Sequence, residues 1–256
     1  MSCCPNRITV NHRVCSPILC VPVFLMVFIF PQTLRAEEST DTLLAHWAFD
    51  EGKQVAAAAN KTDAAAYEAK LEGAVSGARG VFGSALELQG NHAVRVDRFG
   101  EPNMEAITLS VWCLPTTLSG FREILRQESG HRLLFSFQGD GTILSLGLDI
   151  GGYMECDGTI DPAAVLDGGW HHCAATFNGS VMRVFLDGRE VGALERPGHI
   201  TLQPDAPAFI GSSGGDNEHF QGRLDDLRVY GCALTPEQIK TLFNAGDDVL
   251  KERRKL

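Results

Sequence analysis

From Leu43 onward, apolar and polar residues alternate with a period of two, in short runs separated by glycine and asparagine turns. That period belongs to β structure, because successive side chains of a strand point to opposite faces. Leu43, Ala45, Trp47 and Phe49 alternate with Leu44, His46 and Ala48 before Asp50-Glu51-Gly52, which reads as a first strand and its turn. Asn178-Gly179 and Asp187-Gly188 divide Trp170–Leu194 into three runs, the pattern of a three-stranded meander with two tight turns. Further strands are expected at 85–88, 93–96, 107–114, 122–127, 132–137, 143–150, 208–210 and 224–230, and so many in one domain make a sandwich. The alanine-rich stretch 56–66 lacks an apolar stripe and reads as a loop. One helix is marked by Thr235 as cap, Pro236 in the first turn and Glu237 at the positive end. Ile239, Leu242 and Phe243 form its stripe, Gly246 is expected to stop it, and 247–256 reads as a charged, solvated tail.

The first 36 residues stand apart from this pattern. Arg7 and Arg13 precede the apolar run Ile18–Phe30, after which Arg35-Ala36 meets Glu37-Glu38, the layout of a secretory signal peptide. The run is shorter than the ~20 residues of a bilayer span, and an uncleaved leader is the alternative that would tie the chain to a membrane. The expected organisation is therefore a signal peptide at 1–36, a linker at 37–42, one domain at 43–246 and the tail at 247–256. Export places the protein outside the cytoplasm, secreted or in the periplasm or cell envelope. The 256 residues carry 22 Lys and Arg against 32 Asp and Glu, a net charge of −10. The leader removes three arginines and no acid, leaving −13, a surface that repels a phosphate backbone and excludes nucleic acid as a partner. Cys113, Cys156, Cys173 and Cys232 remain in an oxidising environment, where three disulfide pairings are open to them. Cys113 and Cys173 sit at strand positions suited to valine, so buried free thiols fit as well as bridges.

Four segments, in order, carry a family likeness: Gly80-Val81-Phe82-Gly83-Ser84-Ala85-Leu86-Glu87-Leu88, then Ile107-Thr108-Leu109-Ser110-Val111-Trp112, then Trp170-His171-His172-Cys173-Ala174 with Asp187-Gly188, and last Phe220–Tyr230 with Ala233-Leu234. They resemble the laminin G-like, concanavalin A-like lectin/glucanase family over about Leu43–Ala245. The resemblance implies an all-β, two-sheet antiparallel jelly roll with one short C-terminal helix and adjoining chain ends. It also implies binding of sugars or proteins, commonly with calcium. Where the family often has Asp-Ser-Ser-Gly after the first strand, this chain has Asn60-Lys61-Thr62-Asp63.

Counting by two along the last strand, Asp225 falls with Leu227 and Val229 on the core side. A buried carboxylate there needs a cation, an arginine or backbone N–H groups. With the chain ends adjoining as the resemblance implies, Asp50, Glu51, Asn60 and Asp63 are nearby oxygen donors, a hard set that suits a structural calcium. An N–H-capped or arginine-paired aspartate is the alternative. The polar loop Gly214–His219 offers Asp216, Asn217, Glu218 and His219 as a ligand rim, or as a solvated hairpin. Asp157 and Asp161 form a weaker acidic cluster near Tyr153. His171 and His172, being adjacent on a strand, project to opposite faces and cannot share one metal or proton, so they read as packing residues with a cross-strand hydrogen bond. Trp47 and Trp112 read as core.

Glu-x-Asp-x-x-Glu spacing of jelly-roll glycosidases is absent, as are a Gly-x-Ser-x-Gly elbow, His-Glu-x-x-His and a phosphate loop. The expectation is a non-catalytic extracytoplasmic module that binds a glycan or a glycosylated surface protein. Alternatives are an adhesive protein–protein module of the cell envelope and a degenerate glycoside hydrolase.

Overall fold

A computed structural model of the chain describes residues 42–50, 67–72 and 75–255. The leader and the 56–66 loop lie outside these residues. In chain order the strands are β1 Leu43–Trp47, β2 Ala69–Glu72, β3 Val75–Arg79, β4 Ser84–Gln89, β5 Ala93–Val96, β6 Asn103–Met104, β7 Ile107–Pro115, β8 Arg122–Gln127 and β9 Leu133–Gln138. They continue as β10 Ile143–Asp149, β11 Tyr153–Thr159, β12 His171–Phe177, β13 Val181–Leu186, β14 Arg189–Glu195, β15 Ile200–Thr201, β16 Ala208–Ile210 and β17 Gln221–Tyr230. Two helices complete the set, α1 Pro162–Val165 and α2 Pro236–Arg254.

Among the described residues, one sheet runs β14-β13-β12-β7-β17-β4-β3, with β1 also pairing β17, and a second runs β11-β10-β9-β8-β16-β5-β2. All pairings in both are antiparallel, and the core lies between them. From the first sheet it takes Leu109, Val111, Cys113, Cys173 and Phe177; from the second, Leu133, Phe135, Phe137, Leu144, Leu146 and Leu148. This is the two-sheet sandwich expected from the period-two runs. The meander β12-β13-β14 is present, with Gly179 at φ 85° in its first turn and Asp187 and Gly188 at φ 50° and 71° in its second.

The alternation does not mark β2, β3, β6, β11 and β15. β11, Tyr153–Thr159, was hidden by its polar composition, because it is an edge strand whose outward residues are Tyr153, Glu155, Asp157 and Thr159.

The helix differs from expectation at its far end. Thr235 and Gln238 form a reciprocal capping box, and Pro236 opens the first turn. Gly246 does not end the helix, which continues to Arg254, so residues 247–254 are helical and not a loose tail. Lys251 pairs with Asp247 one turn back, and basic residues fill the last turn, where the helix dipole favours them. Gly246 instead allows close packing. A Cβ at this position would lie 2.3 Å from Cζ2 of Trp112. Phe243 stacks on the same indole, with ring centroids 5.9 Å apart and planes 23° apart. Ile239 and Leu242 join Ala174, Phe185, Tyr230 and Leu234 in a second, smaller apolar cluster. α2 thus covers the outer face of the first sheet.

Glycine-to-alanine exchange inside a helix ordinarily stabilises by up to ~1 kcal/mol. Here the added methyl meets a rigid indole, so Gly246→Ala is expected to destabilise by about 1–3 kcal/mol. The urea midpoint, with an unchanged slope, measures this; a gain in stability would contradict the packing of α2 on Trp112.

Candidate functional site

The outer face of the second sheet is built differently. Because Leu133, Phe135 and Phe137 face the core, Leu134, Ser136 and Gln138 of β9 face outward, and strand pairing aligns Ser136 with Ser145 and Glu123, and Ser145 with Asp157. Glu123, Ser136 and Ser145 are fully buried and Gln138 nearly so, forming a recessed polar floor. Taller side chains stand around it: Arg126, Glu128, Arg132, Tyr153, Glu155 and Glu218.

Each floor group has a partner. Tyr153 donates its hydroxyl proton to Glu155 Oε1 at 2.7 Å, and Gln138 Nε2 donates to Glu155 Oε2 at 3.2 Å and to Ser136 Oγ at 3.3 Å. Ser145 Oγ donates to Asp157 Oδ1 at 2.6 Å. The Tyr153 ring lies over Gly147, where a Cβ would come 2.2 Å from the phenolic oxygen, and the Arg132 guanidinium sits 5.1 Å from the ring centroid. An aromatic ring, an amide and carboxylates thus converge on one sheet face.

Arg126 organises the other half. Its Nη1 donates to Glu123 Oε1 at 2.7 Å and to Glu218 Oε2 at 2.9 Å, and its Nε is 2.5 Å from Glu128 Oε1. Glu128 in turn accepts from Ser213 Oγ and pairs with Arg132. Burial pushes the Glu123 carboxyl up to about 8 against the pull of Arg126, and the neighbouring Glu218 adds to the rise. Glu123 is therefore largely protonated at neutral pH, and its Oε2 makes no hydrogen bond.

The residues singled out in the sequence are distributed as follows. Asp216 and Asn217 are exposed and bonded to each other at 2.8 Å at the tip of the tight turn Ser213–Asn217. His219 lies 3.3 Å from the His92 carbonyl. Of that loop, Glu218 reaches the polar face, with its own carbonyl accepting from Glu123 N–H at 3.1 Å. Asp157 is on the same face, whereas Asp161 caps α1 by accepting from Ala163 N–H at 2.9 Å. Glu123, Arg126, Glu128, Gln138 and Glu155 were missed.

A bulge between Glu123 and Leu125 explains the miss in β8. It brings Glu123 and Arg126, three apart, onto one face where strict alternation separates them.

Asp225 is fully buried, but it is not on the core side. A bulge between Asp225 and Arg228 breaks the count: Leu224, Leu227 and Val229 enter the core, while Asp225 pairs opposite Trp112. Its Oδ2 accepts from Phe82 N–H at 2.8 Å, with Val81 and Asp226 N–H groups also close, and Oδ1 has no partner. Burial raises this carboxyl to about 7. Asp50 braces the same turn, its Oδ1 accepting from Ser84 N–H at 2.7 Å. Glu51, Asn60 and Asp63 lie outside the described residues. Among the described residues, no three of His, Cys, Asp and Glu gather into a metal-binding group.

The adjacent histidines diverge as expected. His171 contacts Asp187 Oδ2 at 2.9 Å and Asp167 Oδ1 at 3.2 Å. His172 points to the opposite face, 2.9 Å from Ser110 Oγ and against Trp112. The four described cysteines are free thiols, with Sγ of Cys113 and Cys173 at 3.4 Å. Trp47 joins the main core, whereas Trp112 is buried between sheet and helix.

The model of a family described as the Concanavalin A-like lectin/glucanases superfamily matches residues 88–240. A search of curated proteins finds no match. Among solved structures, the chain is similar to domain 4 of AbnA, a GH43 extracellular arabinanase from Geobacillus stearothermophilus in complex with arabinotriose. The TM-score is 0.62 at 21% identity, over 78% of this chain and 98% of that domain. It is also similar to the binding domain of Paraclostridial Mosquitocidal Protein 1, with TM-score 0.63 at 14% identity over 80% of this chain. A third is the binding domain of Botulinum Neurotoxin DC in complex with SialylT, with TM-score 0.58 at 14% identity over 81% of this chain. This chain spans 52% of the length of each of these two binding domains. At these identities the likeness is one of fold.

The two histidines give a titration test. Burial alone would lower His171, but Asp187 outweighs it and holds the imidazole at about 9; burial takes His172 down to about 4. With the ordinary value at 6.5, His171 stabilises the fold fully below that pH and loses its contribution as pH rises through 9. His172 favours the neutral form, so its contribution is lost as pH falls through 4. Proton NMR of the imidazoles is expected to show the two separate titrations, each absent in the matching His→Gln variant. Coincident midpoints near 6.5 would contradict this environment.

Proposed function

The chain belongs to the Concanavalin A-like lectin/glucanases superfamily, and on that premise we propose that it is a non-catalytic, extracytoplasmic module that binds a glycan on the outer face of its second sheet. The observation that carries the reading is the convergence of Tyr153, Gln138, Glu155 and Asp157 over a buried polar floor. Sugars are recognised by an aromatic face that covers C–H groups and by planar amides and carboxylates that hold hydroxyls. This face offers both. The similar arabinanase domain and neurotoxin binding domain were solved with arabinotriose and SialylT, which supports a sugar as the ligand class. The exposed large apolar side chains Phe121, Met154 and Leu166 lie on separate segments, a weaker basis for docking a protein.

Glu123 is the group closest to a catalytic acid, since it holds a proton near neutral pH. It is fully buried and bound by Arg126, so it supports the walls of the site and does not reach a leaving group. On β11, Glu155-x-Asp157 is followed at the third place by Ile160, where a hydrolase strand carries a second glutamate. Both features support binding without hydrolysis. The apolar run 18–30 behind Arg7 and Arg13 is the feature that supports an extracytoplasmic location.

A structural calcium at Asp225 forms part of the proposal. The unpartnered, fully buried Oδ1 is an atom a cation would satisfy, and Asp50 braces the same turn. Asp225 and Asp50 would hold the ion, which would neutralise their charge and tie the last strand to the Gly80–Ser84 turn.

Two measurements test these statements. Calorimetric titration with neutral oligosaccharides, arabinotriose first, is expected to give binding that weakens about tenfold in Tyr153→Ala and Gln138→Ala, or ~1.4 kcal/mol, with unchanged melting temperatures. A panel of oligosaccharides that all fail to bind would remove the glycan reading. Calcium is expected to raise the melting temperature by several degrees, reversibly with chelator, and to have no effect on Asp225→Asn; equal melting with and without calcium would remove the metal.

A further inference from the structure

A second pocket lies away from the polar sheet face, at the C-terminal end of α2. It has a volume of about 300 Å³, and four arginines line it: Arg79 from β3, Arg223 from β17, and Arg253 and Arg254 from the last turn of α2. In a chain of net charge −10, four guanidinium groups around one hollow are a local reversal of sign.

The four differ in how far the protein itself engages them, and Arg254 adds to the charges that hold the Asp167 carboxyl low. Arg253 Nη1 donates to the Gly80 carbonyl at 2.5 Å, which fixes the helix end against the turn. Arg223 reaches Glu87 at 3.4 Å, with both side chains over a third exposed. Arg79 and Arg254 make no ion pair among the described residues. Among the described residues, no acid lines the pocket itself; Glu87 meets it through Arg223, Asp225 lies behind Gly80, and Asp167 accepts from Gly169 N–H at 2.6 Å and contacts His171. The lining itself therefore carries four cationic side chains and no acid.

The remaining wall is formed by Trp170, glycines and Leu250. Trp170 lines the pocket half-buried, beside Gly168 and Gly169, which present no side chain. Guanidinium groups bind sulfate and carboxylate through paired N–H donors, and an adjacent indole offers an apolar face. We propose that this pocket takes the acidic group of a glycan, a sulfate or a uronate carboxylate, an assignment that rests on the glycan-binding reading above.

Trp170 is a built-in reporter, because Trp47 and Trp112 are 0% and 2% exposed. Fluorescence quenching of the purified protein by iodide and by caesium, at constant ionic strength, measures the local sign of charge. Iodide is expected to quench roughly twofold or more better than caesium, against the net negative charge of the protein. The Arg79→Glu/Arg254→Glu variant is expected to reverse that order, and a melting curve confirms that it remains folded despite the loss of a basic residue from the last turn of α2. Equal quenching by the two ions in the native protein would overturn the anion pocket, whatever the sheet face binds.

A sulfated and a uronate oligosaccharide are then added, with arabinotriose as the neutral control. Protection of Trp170 from iodide by one or both acidic sugars, and not by arabinotriose, is the expected result and identifies which group binds. Iodide preference without protection by either acidic sugar would overturn the glycan assignment. Arabinotriose binding that depends on Tyr153 and Gln138 is read separately by calorimetry, so failure of the pocket leaves the sheet-face site standing, and the reverse.

Discussion

The last strand must serve three partners, and the bulge at Asp225–Arg228 lets it do so. β17 pairs with β7 along most of one edge; on the other it pairs with β4 through Gln221–Leu224 and with β1 through Leu227–Tyr230. Changing partner in mid-strand requires an extra residue, and Asp226 absorbs it at φ 52°. That conformation is uncommon for a residue with a side chain, and the local contacts hold it in place. The Asp226 carboxylate takes His46 at 2.5 Å and Arg228 at 3.1 Å, and the hydrogen bond to His46 with the Arg228 charge holds its carboxyl low against the burial that would protonate it. The start and end of the domain are thereby joined through one aspartate. Asp225 next to it caps the turn against which Arg253 anchors the helix end.

The two sheets share a core, yet their outer faces have opposite fates. The first is covered by α2, and its outward residues are chosen for packing: Trp112, Ala174, Phe185 and Tyr230. His172 is neutral there because a charge would find no water beneath the helix. The second sheet keeps Glu123, Ser136, Gln138 and Ser145 at positions where apolar residues would pack at lower desolvation cost. An arginine bound to the Glu128 and Glu218 carboxylates and to the Glu123 acid makes that arrangement tolerable without making it the most stable choice. Local disagreement between residue type and burial is expected where a face of a sound scaffold serves something other than packing.

The scaffold was legible because its signals are local. Period-two runs, two Asn-Gly and Asp-Gly turns, and the Thr235-Pro236 start of α2 each act within a few residues, and strands and helix begin where those signals stand. The site was not legible, because bulges set it. One extra residue in β8 puts Glu123 beside Arg126, and another in β17 moves Asp225 off the core face; a count by two misplaces both. The end of the helix failed for a related reason. Gly246 reads locally as a stop, and only the indole of Trp112, more than a hundred residues earlier, shows that it is a contact. Glu218 was found because a polar, glycine-rich loop beside a matched motif is visible without knowing the register.

Charge is distributed on this module as two separate devices. The second sheet gathers Glu123, Glu128, Glu155, Asp157 and Glu218 around Arg126 and Arg132, a surface rich in acceptors that suits the hydroxyl donors of a neutral sugar. The end of α2 gathers arginines beside a half-buried indole, which suits the opposite ligand chemistry. Helix-dipole stabilisation accounts for basic residues in the last turn of α2, but it does not account for Arg79 and Arg223, which come from strands of the first sheet. Arg253 and Arg223 have partners within the fold, at the Gly80 carbonyl and Glu87, and a shared anionic target is the reason we propose for all four to converge. A glycan with neutral stretches and acidic substituents would meet both surfaces, and the fold supplies the rigidity that keeps them apart.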